Sequence, residues 1–100
     1  MPADPAVHWR LARPDATRIV VFDDEAMVFN PVSWETHLVN LTAAEVIAIL
    51  RESPMSEPDL VAALLAAAEV ADPSHPLAGQ AVALLAELEH LGLAVRGVVA

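Results

Sequence analysis

The sequence predicts an α+β fold of winged-helix-like kind: a small three-stranded antiparallel sheet followed by three helices. Three observations predict it. The first forty residues carry short runs in which apolar and polar side chains alternate, the period of a half-buried strand. From Thr42 onward the apolar residues recur at spacings of three and four, the period of a helix packed on one face. Clusters of proline, aspartate and serine separate these segments, and strands gathered ahead of helices make an α+β domain.

Residues 1–6 read as a loose tail and residues 7–40 as the β-rich part. Val7 to Leu11 alternates, with Val7, Trp9 and Leu11 on one side and His8 and Arg10 on the other, and reads as a short edge strand ended by Pro14 and Asp15. Arg18 to Phe22 and Ala26 to Phe29 are apolar runs joined by Asp23-Asp24-Glu25, a hairpin pattern. After a turn at Asn30-Pro31-Val32-Ser33, Thr36 to Asn40 reads as the third hairpin-connected strand, His37 and Val39 facing one way and Thr36, Leu38 and Asn40 the other. These last three strands form a meander.

The helical part spans residues 42–91. Thr42 followed by Glu45 is a capping-box pattern, with Val46, Ile49 and Leu50 on one helical face and Ser53-Pro54 as the stop. Ser56 caps a second helix, with Pro58 and Asp59 in its first turn and Leu60, Leu64 and Leu65 as its stripe. Asp72 to Pro76 is a turn. A third helix then runs from about Leu77 to Leu91, its stripe made by Leu77, Ala81, Leu84, Leu85, Leu88 and Leu91. Gly92 stands where a helix C′ glycine belongs, and residues 93–99 form an apolar extension fit to lie back on the core as one more strand.

One hundred residues, 56% of them hydrophobic, suit one domain with a core of its own. The absence of cysteine excludes a disulfide framework, a zinc finger and a thiol nucleophile. Met1 to Trp9 lacks the basic and apolar regions of a signal peptide, and the longest apolar run, Leu60 to Ala68, falls far short of a membrane span, so a cytoplasmic protein is expected. A net charge of −9 with no lysine argues against nucleic-acid binding, which draws its affinity from cations on phosphates. The helix order alone allows a winged-helix transcription regulator. Its third helix, however, offers only Gln80 to bases and carries Glu87 and Glu89, which repel phosphate.

The segment RIVVFDDEAMVFNPVSWETHLVNLTAAEVIAIL, the capped second helix and AVALLAELEHLGLA together resemble the PqqD-like family, recognition elements for ribosomally made, modified peptides. The similarity covers roughly Trp9 to Val95. Its nearest branch accompanies an HPr-kinase-related protein, and the early Trp9, FNPVSWETHL (Phe29 to Leu38) and GLAV (Gly92 to Val95) carry that likeness. Where that branch leads one to expect Ser-Gly, this chain has Ser33-Trp34, which weakens the case for a glycine-dependent turn there. The resemblance implies three strands and three helices, and a leader peptide taken up as an added strand between the third strand and the third helix. Carried over by position, the peptide-binding residues are Thr36, His37, Leu38, Val39 and Asn40 with Leu84, Glu87 and Leu88. The implied partner is a precursor peptide or the HPr-kinase-related protein; homodimerisation through the same strand edge is a further alternative.

Each of these residues also has a plainer reading. Leu84 and Leu88 serve equally well as the domain's own core, and His37 as a turn cap or a partner for Glu35. Trp34 is either an exposed partner anchor or a lid on the core, and Trp9 reads as core. Asp23-Asp24-Glu25 reads as a solvated turn rather than a metal site, and His8, His37, His75 and His90 lack ligand spacing. Catalysis has little support: Thr36 and His37 point to opposite faces, and Gly79, Gly92 and Gly97 make no phosphate loop. No catalytic residue, metal or cofactor is therefore assigned.

Overall fold

A computed structural model of the chain describes residues 7–30 and 33–98; the expected tail and the Pro31-Val32 part of the second turn lie outside them. The chain is α+β, with three helices and a three-stranded antiparallel meander, and the strand alternation explains why each strand lies where it does. Strand β1 (Val7–Leu11) buries Trp9 and Leu11 and exposes Arg10. Strands β2 (Arg18–Phe22), β3 (Glu25–Asn30) and β4 (Glu35–Asn40) pair in the order β2-β3-β4, and β3 turns Ala26, Val28 and Asn30 inward. Helix α1 (Leu41–Glu52) follows β4 without a loop, then come β5 (Met55–Ser56), α2 (Glu57–Ala67), α3 (Pro76–His90) and β6 (Ala94–Val98).

One sequence expectation is corrected at once. Val7–Leu11 is not an edge strand: it is the centre of a second sheet, β5-β1-β6, paired with Met55–Ser56 on one side and Ala94–Val98 on the other. The C-terminal extension thus does fold back as a strand. Arg96 holds it there, its guanidinium 5.4 Å from the Trp9 ring centroid and its Nε 3.0 Å from Glu89 Oε2 on α3. Trp9 is core, packed with Leu11, Val28, Ile47, Leu50, Leu60, Leu85, Leu88 and Leu93.

The helix ends are set by side chains. The first helix is not capped by Thr42: Asn40 is its N-cap, with Oδ1 accepting from Ala43 N–H at 2.8 Å, and Thr42 is already inside the helix. The buried face accordingly runs Ala43, Val46, Ile47 and Leu50, while Ile49 lies at its margin. Ser53 leaves the helix in extended backbone ahead of Pro54. Ser56 Oγ accepts from Asp59 N–H at 3.3 Å with Pro58 in the first turn, as the sequence indicates. Before α3, Asp72 accepts from both Ser74 N–H and Ser74 Oγ, which holds its carboxyl below the ordinary aspartate range, and His75 Nδ1 accepts from Leu77 N–H.

Two helices end in the same way, with a 6→1 and a 5→2 bond closed by a left-handed residue. After α3 the bonds are Leu93 N–H to Leu88 C=O and Gly92 N–H to Glu89 C=O, with Gly92 at φ 77°. After α2 they are Val70 N–H to Leu65 C=O and Glu69 N–H to Ala66 C=O, and the left-handed residue is Glu69 at φ 58°. A glutamate is strained where glycine is at ease. Glu69→Gly therefore raises stability by about 0.5–1 kcal/mol, read as a higher urea midpoint at unchanged m-value.

Candidate functional site

Among the described residues, the meander leaves β4 bonded on one side only. Which backbone groups face outward follows from the register. The β2–β3 turn is two residues long, closed by the Phe22–Glu25 pair and entered at Asp23 with φ 52°. Antiparallel residues bond to alternate neighbours, so Glu25, Met27 and Phe29 exchange bonds with β2, and Ala26, Val28 and Asn30 with β4. Their partners Val39, His37 and Glu35 are thereby used within the sheet. The N–H and C=O groups of Thr36 and Leu38 point to the open edge. Asn40 ends that edge because its side chain caps α1.

Facing this edge is α3. A cleft of about 210 Å³ separates them, floored by Leu38, Val39 and Asn40 and walled by Leu84, Glu87 and Leu88, with Ala43 and Leu91 at its ends. Six of the eight sequence-derived binding residues therefore meet in one cleft. Thr36 and His37 do not line it. Leu38 is 61% exposed, on the outer face of the sheet. Leu88 belongs to the core and Leu84 packs partly against it, so these leucines fill the domain and also present a flank to the cleft.

Sequence reasoning missed Ala43 and Leu91, and above all Asn30. Asn30 is buried at the end of β3, and its Nδ2 donates to the Leu91 carbonyl at 2.8 Å. That bond ties the end of β3 to Leu91, just past the C-terminal end of α3 and itself a lining residue of the cleft. An asparagine before proline reads as a turn residue, so local sequence carries no sign of this role.

His37 faces the inner side of the sheet; its Nε2 is buried without a hydrogen-bond partner and lies 3.8 Å from Glu35 Oε2. It touches neither the cleft nor a metal-binding cluster, and among the described residues no group of three or more His, Asp or Glu is placed to hold a metal ion. Asp23, Asp24 and Glu25 are all exposed.

Trp34 is 80% exposed, stacked edge-on against Phe29 with centroids 6.0 Å apart, and left-handed at φ 62°. The turn thus adopts at Trp34 the conformation that glycine favours. Trp34→Gly relieves about 1–2 kcal/mol of backbone strain and forfeits about 0.5–1.5 kcal/mol of ring contact. The two effects oppose each other, so the unfolding free energy shifts by no more than about 1.5 kcal/mol. An exposed anchor is the one role whose loss such a variant reports cleanly.

No protein-family model, no curated protein and no solved structure matches this chain. No helix among the described residues is long and apolar enough to cross a membrane.

Proposed function

We propose that this chain is a non-catalytic, PqqD-like binding adaptor of the cytoplasm, which captures a leader peptide or a segment of an HPr-kinase-related partner by strand addition to β4. The observation that supports this reading is the cleft between the open edge at Leu38 and the α3 wall at Leu84, Glu87 and Leu88. A guest strand bonds to the outward groups of Thr36 and Leu38, up to four bonds worth about 0.5–1.5 kcal/mol each. Micromolar binding needs about 8 kcal/mol, so the remainder comes from apolar side chains, at roughly 25 cal/mol per Å² buried. Offsetting the freedom lost on association as well requires at least about 200 Å² of apolar burial and in practice several hundred, the area of two or more large guest side chains. The cleft is smaller than the roughly 300–1,000 Å³ of small-molecule sites, which favours a peptide side chain over a cofactor. Glu87 on one wall and Glu35 near the strand start favour a guest carrying lysine or arginine beside its apolar anchor.

Titration calorimetry of the chain with any small precursor peptide and any HPr-kinase-related protein encoded beside its gene tests the proposal. The expected result is one-to-one binding tighter than about 100 μM by at least one of them. No binding to any at that level overturns it.

A further inference from the structure

Among the described residues the meander has a second open edge, β2, which the proposed adaptor role leaves unused. Since Arg18, Val20 and Phe22 exchange bonds with β3, the N–H and C=O groups of Ile19 and Val21 point outward. From Ile19 to Phe22 this edge has none of the devices that normally discourage pairing: no charge, no proline and no bulge in its register. Val21 is 59% exposed although it lies on the inner face. Beneath it a cleft of about 420 Å³ opens between β2 and α1, bounded by the apolar Ile19, Leu41, Ala44 and Ala48, with Glu45 as the one charged lining residue among those described.

We infer that β2 is a homodimerisation edge, on which the same strand of a second copy pairs antiparallel about a twofold axis through Val20. The strand is complementary to its own reverse. In that register Ile19 meets the partner's Val21 and Val21 the partner's Ile19, and these pairs exchange four backbone bonds. Val20 meets its own mate. Arg18 comes to lie across the partner's Phe22, next to the partner's Glu25 and its Asp23-Asp24 turn. A cation thus stands at the start of the strand and carboxylates at its end, so only the antiparallel arrangement joins opposite charges. The small Ala44 and Ala48 leave room for the two α1 helices to approach beneath the new junction. The product is a six-stranded sheet, β4-β3-β2-β2-β3-β4, with one β4 cleft left open at each end. This pairing does not depend on what β4 binds.

Sedimentation equilibrium of the full chain from about 1 to 500 μM tests it. The expected result is a reversible monomer–dimer equilibrium. Val21→Pro removes an outward donor at an edge that tolerates proline and makes the chain monomeric. Arg18→Glu weakens dimerisation at least about tenfold, and adding Glu25→Arg restores it to within about threefold. Should Val21→Pro fail to fold by circular dichroism, the exposed charge pair decides alone. A monomer at every concentration overturns the inference, as does a dimer indifferent to Arg18→Glu or one abolished by Leu38→Pro on the opposite edge.

Discussion

Asn30→Ala lowers the unfolding free energy by about 2–3 kcal/mol, because the Leu91 carbonyl loses its buried donor and a cavity replaces the amide. For a domain of this size that is a fall in Tm of about 10–20 °C, measured by calorimetry. Asn30→Asp separates the hydrogen bond from the volume. It keeps the shape and replaces the donor with a carboxylate facing a carbonyl, so at pH 7 it destabilises at least as much. The buried carboxyl has its folded-state pKa raised above the unfolded one, so this penalty is absent below the unfolded pKa and grows as pH rises through the folded one. Acidification therefore restores part of the stability of Asn30→Asp and none of that of Asn30→Ala. Since the same bond anchors the cleft-lining Leu91 to the meander, both variants are also expected to weaken guest binding.

Leu38→Pro and Val39→Pro, neighbours in sequence, part company. Leu38 N–H faces the open edge, so its proline variant folds with the loss of a solvent-facing donor, yet guest affinity falls by at least about tenfold. Val39 N–H is used in the ladder with Ala26, so its proline variant loses about 3 kcal/mol of stability or more. Urea unfolding of the two variants, followed by titration of the folded one with the precursor peptide, reads both effects. A Leu38→Pro variant that folds and binds unchanged places the guest elsewhere.

Elements governed by local periodicity were readable from the residues alone. The alternation of β1, which buries Trp9 and Leu11, and the stripes of α2 and α3, which bury Leu60, Leu64, Leu65, Ala81, Leu85 and Leu88, were legible because a side chain's direction is set by the backbone repeat. The Ser56 cap and the Gly92 terminus were equally plain, since their partners lie within a few residues. The meander also put the candidate strand at an edge; that α3 stands opposite it was not legible in the periodicity and was expected only from the resemblance.

What escaped local reading depends on residues far apart in the chain. Val7–Leu11 looks like an edge strand until Ala94–Val98 and the two-residue β5 are seen on either side of it. The choice of Asn40 over Thr42 as cap, and of Ile47 over Ile49 as core, was made by the direct junction of β4 with α1, which fixes the rotation of the helix about its axis. Local sequence thus determined the elements and their faces, because propensity, alternation and caps act over one or two turns of chain. Only the tertiary structure decided which edge N–H groups stay unbonded, that Asn30 spans to Leu91, and that Trp34 holds a glycine-like conformation, because each is settled by pairing across the fold.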